Sequence, residues 1–137
     1  MFEQITSFLP KLKEEPYGKW VIDRVNDGTP GHPVQLPYVV YSKTVHEFEK
    51  AVFQFVKEHR EMQLTDYFGI LGKANVQFSL DSLKEADVSD YDGIIIMALI
   101  VGAIRSERFC DGSLLGCFES GCIRKWLERL VEIDRAN

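Results

Sequence analysis

The sequence has little sustained hydrophobicity. Its longest apolar run, Ile94–Ile104, covers 11 residues and includes Gly102, whereas a membrane-spanning helix needs about 20. The first residues, Met1–Pro10, show no basic segment followed by an apolar stretch and a small-residue cleavage site, so no secretory signal is expected. We therefore expect a cytoplasmic protein with no membrane partner, in which the apolar run forms a buried core helix.

Basic residues are also fewer than acidic ones. The chain has 16 Lys and Arg residues against 21 Asp and Glu residues, which gives a formal net charge of -5 at pH 7. Such a charge repels phosphodiester backbones, so no nucleic-acid partner is expected. The densest basic stretches are Lys11 with Lys13 and Arg124 with Lys125 and Arg129. They alternate with glutamates, which predicts solvated helix faces.

Cysteine is sparse and does not form a metal-binding pattern. Cys117 and Cys122 sit at the upper limit of zinc-ligand spacing, Cys110 lies outside it, and all histidines lie in the other half of the chain. An odd number of cysteines without a secretory signal is typical of a reducing compartment. We expect reduced thiols that act as small apolar core residues, with no metal ion. A reactive thiol and a metal ligand are the alternatives.

The sequence also lacks a catalytic or cofactor motif. Gly69–Lys73 has two residues between its glycines and Ala74 after its lysine, whereas a phosphate loop needs four residues and then Ser or Thr. His32, His46 and His59 have no evident catalytic partner, so structural roles are favoured. No cofactor is therefore expected, and whether the protein is an enzyme is left open.

Helical periodicity runs through most of the chain, whose 137 residues, 45% of them hydrophobic, are typical of one soluble domain, 1–137. Thr44 and Glu47 form a capping-box pattern ahead of a helix that runs to about Glu58. Ser89 or Asp92 can begin the long apolar helix, which continues to about Phe109. Further helices are predicted over Phe2–Leu12 with an interruption at Pro10, after Asp66 and from about Gly121. For Ser79–Ala86 a helix is favoured, although the alternation of Val76, Phe78 and Leu80 also allows a short strand. The pattern predicts a mainly α fold, a bundle of four to five helices around Ile94–Ile104.

Two short segments have strand character. Trp20–Ile22 and Tyr38–Tyr41 flank a loop rich in glycine and proline. They either pair as a minor two-stranded β element or lie as extended chain across the helices. Their aromatic side chains, Trp20, Tyr38 and Tyr41, either line a ligand pocket or pack the segments against the helices, and we favour packing.

Charge becomes dense where the apolar run ends, between Arg105 and Gly112. If the helix continues, Arg105 and Arg108 lie one turn apart on one side, while Glu107 and Asp111 share another. Such a cluster either forms a structural ion network with Arg108 buried in it, or binds an anion through its arginines beside a carboxylate pair. We favour the structural network.

At these residues the chain resembles a known family. The stretch E-R-F-C-D-G-S-L at 107–114, together with L-P-Y-V-V-Y-S at 36–42, Gly121-x-Ile123 and W-L-E-R-L at 126–130, is similar to small, mainly helical bacterial proteins grouped as a domain of unknown function. The resemblance covers about Trp20 to Ile133. It implies a bacterial, cytoplasmic origin and assigns no function. The matching positions are Trp20, Tyr38, Tyr41, Arg105, Glu107, Arg108, Phe109, Asp111 and Gly112.

Two classes of function fit these observations. We favour a small binding or interaction module, able to self-associate, in which Arg105, Arg108 and the two tyrosines lie near one ligand or partner surface. The alternative is a small-molecule or phosphoester enzyme that uses Glu107 and Asp111 as acid, base or metal ligands while the arginines bind an anion. The binding module is favoured because no nucleophile, base or metal set is recognisable.

Overall fold

The computed structural model describes residues 1–13 and 16–136. Within these ranges seven α-helices and two short strands succeed one another, so the mainly α fold that the periodicity predicts, with its minor two-stranded element, is confirmed. The helices are α1 (Glu3–Thr6), α2 (Lys43–Glu58), α3 (Tyr67–Lys73), α4 (Leu80–Glu85), α5 (Gly93–Ser106), α6 (Ser113–Glu119) and α7 (Cys122–Ala136). The strands are β1 (Gly18–Val21) and β2 (Tyr38–Tyr41), and single 3-10 turns lie at Leu9–Lys13, Arg60–Met62 and Leu64–Asp66.

Helix α5 forms the centre of the fold because its middle has no polar face. Every residue over 96–104 is buried, and α2, α3, α6 and α7 pack against it. Asp92 caps its start by accepting a hydrogen bond of 2.9 Å from the amide of Ile95. The helix ends at Ser106, before the predicted Phe109, because the chain turns there toward α6. None of the helices in the described ranges has both the length and the apolar character that a bilayer span requires.

Helix α2 is capped two residues earlier than the sequence predicts. The hydroxyl oxygen of Ser42, which follows β2 in extended conformation, accepts a hydrogen bond of 3.3 Å from the amide of Val45. The predicted capping box of Thr44 and Glu47 is therefore wrong, because Thr44 already lies in the first turn of the helix. The helix itself is confirmed to Glu58, and its apolar side chains Val45, Phe48, Val52 and Phe55 are all fully buried.

Helix α7 uses its basic side chains differently from the prediction. Its apolar face is buried in the core, with Trp126 as its largest side chain. Arg124, Lys125 and Arg129 do not form a freely solvated face, because each donates hydrogen bonds to backbone carbonyls of other segments. The acceptors are Leu12 for Arg124 (3.0 Å), Leu83 and Ala86 for Lys125 (2.7 and 2.9 Å) and Tyr91 for Arg129 (3.0 Å). The predicted solvated face is wrong for Lys125 and Arg129, which are partly buried, whereas Arg124 is exposed as predicted. All three cations hold the ends of neighbouring segments.

The two strands pair as an antiparallel ribbon, so of the two predicted alternatives the paired one is observed. Gly18 lies opposite Tyr41, and Val21 lies opposite Tyr38. Tyr38 is exposed, while Tyr41 packs against the helical core, as expected for residues on opposite faces of a strand. The ribbon is thus attached to the helices through one face only.

Residues 22–37 form the arm, a long connection between the two strands. The carboxylate of Asp23 organises it by accepting hydrogen bonds from the amides of Val25, Asn26 and Gln35, at 3.0, 3.0 and 2.8 Å. These donors, Asn26 first, hold the pKa of Asp23 well below its usual range. Local hydrogen bonds, rather than burial, therefore give the arm its shape.

Three shorter helical predictions are confirmed in position. The N-terminal segment is interrupted after α1 and continues as the 3-10 turn that contains Pro10. Asp66 caps α3 by accepting from the amide of Gly69 at 3.3 Å. Ser79 caps α4 by accepting from the amide of Ser82 at 3.3 Å.

The cysteines divide into two classes. Cys117 and Cys122 are buried, as the core interpretation predicts, while Cys110 is exposed. The core prediction is wrong for Cys110 because α5 ends at Ser106, which leaves this side chain in the turn before α6. All three are free thiols in the structure.

Candidate functional site

Glu107 is the centre of the charged segment, and its partners are not arginines. Oε1 accepts hydrogen bonds from the hydroxyl of Tyr41 (2.7 Å) and the amide of Leu114 (3.0 Å), and Oε2 accepts from the amide of Gly112 (3.0 Å). The residue before α6 is a glycine without a side chain to cap the helix. The Glu107 carboxylate therefore supplies the cap, at the end of the helix where amides are unpaired and the dipole is positive.

Tyr41 completes this arrangement from the ribbon. Its hydroxyl oxygen accepts a hydrogen bond of 3.0 Å from the amide of Leu115 while its proton is donated to Glu107. Burial, and then the hydrogen bond to Glu107, raise the pKa of the Tyr41 phenol far above its usual value, so the group stays protonated. Burial also raises the pKa of nearby Glu49, and the negative charge of Glu107 raises it further.

Trp20 joins the same point from the other strand. Gly112 adopts a backbone conformation with φ of 89°, and a Cβ atom there would clash with the Trp20 ring. The indole therefore rests directly on the glycine backbone. Trp20, Tyr41, Glu107 and Gly112 thus form the junction, a structural contact that joins the ribbon to the start of α6.

The arginines of the segment lie outside the junction. The Arg105 guanidinium lies 5.0 Å from the centre of the Phe53 ring, and the Arg108 side chain is exposed. Within residues 1–13 and 16–136, no carboxylate forms an ion pair with either arginine, and no cation forms one with Asp111. The predicted ion network with a buried Arg108 is therefore wrong, because Arg108 is exposed and Glu107 bonds to backbone amides and to Tyr41 instead of to the arginines.

Tyr38 is also separate. Three residues along a strand lead to the opposite face, so Tyr38 points away from the junction that Tyr41 occupies. It lines a shallow depression of the arm together with Ile22 and Leu36. The structure therefore does not bring Trp20, Tyr38 and Tyr41 into one pocket.

An apolar groove of about 490 Å³ lies between α3, α4, the end of α5 and α6. Gly102 of α5 forms part of its floor, where a Cβ would lie 3.0 Å from the Phe78 ring. Phe68 and Phe109 are 67% and 84% exposed. Its lining comprises Tyr67, Phe68, Phe78, Ser79, Leu80, Leu83, Gly102, Ser106, Phe109, Cys110, Asp111, Gly112, Ser113 and Cys117.

The few polar atoms of the groove are partly committed to one another. The Ser106 hydroxyl donates to the carbonyl of Ala103 at 2.6 Å and lies 2.7 Å from the Ser113 hydroxyl. Burial raises the pKa of the Cys117 thiol to about 12, so this group is protonated at neutral pH. The wall is therefore uncharged except at Asp111, which stands exposed at the edge.

A smaller cleft of about 220 Å³ adjoins the groove and has a different character. Arg105 and Arg108 both line it, and no acidic side chain of the part of the chain that the structure describes does so. Tyr67 and Phe109 line the groove and the cleft alike, so the two depressions meet along these rings. The remaining lining residues are Phe53, Val56, Thr65 and Val101.

Comparison with protein-family models assigns the chain to a family. A family model described as "Family of unknown function (DUF6508)" matches residues 2–136. The chain belongs to DUF6508. The resemblance to an uncharacterised family that the motifs indicate is thereby confirmed. No curated protein and no solved structure matches the chain.

The site residues predicted for this DUF6508 protein are distributed over four places. Trp20, Tyr41 and Glu107 meet at the junction, the two arginines line the cleft, Asp111 lies at the groove, and Tyr38 lies on the arm. In the described part of the chain, no group of three or more His, Cys, Asp or Glu side chains is placed to hold a metal ion.

The groove itself is absent from the sequence interpretation. It forms from side chains of four elements whose positions no local pattern specifies. One signal was available, because Phe68 and Phe109 are large apolar residues that fall outside the predicted core stripes. Such residues are candidates for a binding surface.

Proposed function

We propose that this DUF6508 chain is a small binding module whose ligand site is the apolar groove between α3, α4, α5 and α6. The observation that carries the proposal is a concave apolar surface of about 490 Å³ with two exposed phenylalanines. Pockets for drug-sized ligands measure about 300–1,000 Å³ and are lined mainly by hydrophobic and aromatic groups with a few polar ones. The groove has this size and this composition.

The exposed rings support a ligand rather than a purely structural role. Single exposed apolar residues are common on protein surfaces. Phe68 and Phe109 differ because they stand beside the same concavity, where a bound molecule would remove both from water. Burial of apolar area stabilises a complex by roughly 25 cal/mol per Å² before the costs of association.

The enzyme alternative has less support from the geometry. It requires Glu107 and Asp111 to act together as acid, base or metal ligands. Both oxygens of Glu107 already accept hydrogen bonds from the protein. A carboxylate held in this way is a poor candidate for proton transfer, because its lone pairs are committed to other donors.

The module comprises the whole chain, 1–137, as one domain, and one cluster of buried side chains extending from Phe2 to Leu130 supports this. We place it in the cytoplasm of a bacterium, as the family resemblance implies. The exposed thiol of Cys110 supports a reducing location.

A neutral fluorescent probe, N-phenyl-1-naphthylamine, tests the groove. We expect saturable binding by the wild-type protein, and dissociation constants raised by about fivefold or more in Phe68→Ser and Phe109→Ser. Leu36→Ser is the matched control, because Leu36 is 80% exposed on the arm, away from the groove. The proposal fails if the wild-type protein shows no saturable binding, or if Leu36→Ser weakens binding as much as Phe109→Ser does.

Self-association through the same surface is a second use of the exposed rings. The molar mass of the protein, measured by light scattering after size-exclusion chromatography, distinguishes ligand binding from self-association. We expect a monomer in the absence of ligand. A dimer that Phe109→Ser dissociates would instead favour a module that binds a second copy of this chain.

A further inference from the structure

We propose that the cleft beside the groove binds an oxyanion, and therefore that the ligand of the groove is an amphiphile with a carboxylate or phosphate head. The identity of the apolar part rests on the proposed function above. The head-group assignment rests on Arg105 and Arg108 and on what surrounds them.

The first observation is that no counter-ion for Arg105 lies within residues 1–13 and 16–136. Its side chain is half-buried and its guanidinium lies against the Phe53 ring. No carboxylate or carbonyl of the described residues accepts a hydrogen bond from it. Partial burial of an unpaired cation is costly, and an aromatic face offsets only part of that cost.

Three basic residues of α7 differ from Arg105 in this respect. Arg124, Lys125 and Arg129 each reach a backbone carbonyl. Arg105 and Arg108, by contrast, have no acceptor in the described ranges and line a common cleft. An external anion would supply the missing acceptor.

The second observation is the spacing of the two arginines. They lie three residues apart, and the backbone between them keeps the right-handed helical conformation through Glu107. Side chains at this spacing lie on one side of a helix. Two guanidinium groups placed in this way match the oxygen atoms of a carboxylate or a phosphate, to which arginine donates paired hydrogen bonds.

The third observation is the sign of the local charge. The whole chain has a formal net charge of -5, yet the lining of the cleft contains two arginines and no acidic residue. Thr65 and Tyr67, which carry hydroxyl groups, also line the cleft. The cleft is thus complementary to an anion within a protein that otherwise repels anions.

The fourth observation joins the cleft to the groove. Phe109 and Tyr67 line both. A molecule with its head at the arginines can therefore pass over these rings and place its apolar body in the larger groove. The cleft, at about 220 Å³, has more than enough room for such a head group, and the groove, at about 490 Å³, has room for the apolar body.

Asp111 offers the opposite polarity at the edge of the groove, and it would favour a cationic head. Its side chain is exposed, so water satisfies the carboxylate without a ligand. The half-buried Arg105 has the greater need of a partner. The anion is therefore the favoured head group.

A series of ten-carbon amphiphiles tests the proposal, with decanoate, decyl phosphate, decanol and decylammonium each titrated below its micelle concentration by calorimetry. We expect decanoate or decyl phosphate to bind about tenfold or more tightly than decanol. The ratio between these two anions distinguishes the carboxylate from the phosphate. The preference for the anion should weaken as salt concentration rises.

Variants locate the head group. We expect Arg105→Gln and Arg108→Gln each to weaken binding of the anion by about tenfold and to leave binding of decanol unchanged. Arg24→Gln, on the arm, is the matched control and should change neither. Because Arg108 is exposed, its variant keeps the fold even if the loss of the contact with Phe53 destabilises Arg105→Gln.

The outcomes separate the two proposals. If decanol binds and no anion binds more tightly, or if decylammonium binds most tightly, the anion site is refuted and the groove stands. If Arg24→Gln weakens binding of the anion as much as Arg108→Gln does, the attraction is a non-specific effect of net charge. The anion site is then also refuted. If none of the four molecules binds, the groove is not a ligand site and both proposals fail.

Discussion

The phenol of Tyr41 donates a hydrogen bond of 2.7 Å to the carboxylate of Glu107, which lies 66 residues later in the chain. This bond connects the ribbon to the turn that follows the core helix. It also assigns Glu107 to the structure of the protein, because the carboxylate simultaneously caps α6. The charged segment 105–112 therefore divides into a structural carboxylate and two arginines that face a cleft.

Glu107 should contribute strongly to stability. Glu107→Ala leaves the amides of Gly112 and Leu114 and the phenol of Tyr41 without their acceptor. We expect the free energy of unfolding to fall by about 2–4 kcal/mol, since each unsatisfied partly buried group costs about 1–3 kcal/mol. Urea denaturation measures this change. Asp111→Ala is the control and should alter the free energy by no more than about 0.5 kcal/mol. A Glu107→Ala protein as stable as the wild type would contradict the capping role.

Arg108 should contribute little to stability, in contrast with the buried network that its sequence context suggests. The side chain is exposed and forms no ion pair in the described ranges. We expect the free energy of unfolding of Arg108→Ala to lie within about 0.5 kcal/mol of that of the wild type. Thermal melts at matched salt concentration test this. A loss of about 3 kcal/mol or more, the cost of breaking a buried ion pair, would restore the network interpretation.

Lys125 should stabilise the loop between α4 and α5. Its ammonium group donates to the carbonyls of Leu83, Lys84 and Ala86 at 2.7, 3.2 and 2.9 Å. Lys125→Met keeps the apolar stem and removes these bonds, so we expect a loss of about 1.5–3 kcal/mol, the range for hydrogen bonds to charged groups. Lys57→Met, at an exposed position of α2, is the control. Equal melting temperatures for the two variants would show that the carbonyl contacts add nothing.

The thiols should differ in reactivity. A thiol reagent such as 5,5′-dithiobis(2-nitrobenzoate) attacks the thiolate, so exposure and pKa control its rate. We expect Cys110 to react rapidly in the folded protein, while Cys117 and Cys122 react only after unfolding. Cys110→Ser should abolish the fast phase. A fast phase that persists in this variant would show that a buried cysteine is accessible.

The same burial predicts a pH effect. Burial raises the pKa of Cys117 from 9.0 to about 12, so between these values the folded protein holds a proton that the unfolded chain has released. The stabilisation is therefore complete below pH 9 and is lost as the pH rises toward 12. Cys117→Ala should reduce this alkaline loss of stability in urea denaturation. An unchanged slope would exclude Cys117 as its source.

The fold was predictable where one physical signal dominates. Helix α5 follows from an apolar sequence with no polar face, and α2 follows from its buried stripe. The prediction of finer features failed where two residues compete for one role. Ser42 and Thr44 are both acceptable caps, and the extended end of β2 decides in favour of Ser42.

The charged segment illustrates a different limit. Its interpretation assumes that α5 continues to Phe109, which would place Glu107 and Asp111 on one face. The helix ends at Ser106 instead, because Glu107 bonds to the start of α6 and to Tyr41 from the ribbon. Such partners come from distant parts of the chain, and no local spacing reveals them. The groove could not be predicted for the same reason.

Chemical-shift mapping of the ¹⁵N-labelled protein with decanoate tests the central claim most directly. We predict saturable shifts of the backbone amides around the groove and the cleft, at Phe68, Leu80, Arg108, Phe109 and Ser113, with the amides of the arm unaffected. Shifts concentrated on the arm, or shifts that never saturate, would contradict the assignment of the groove as the ligand site.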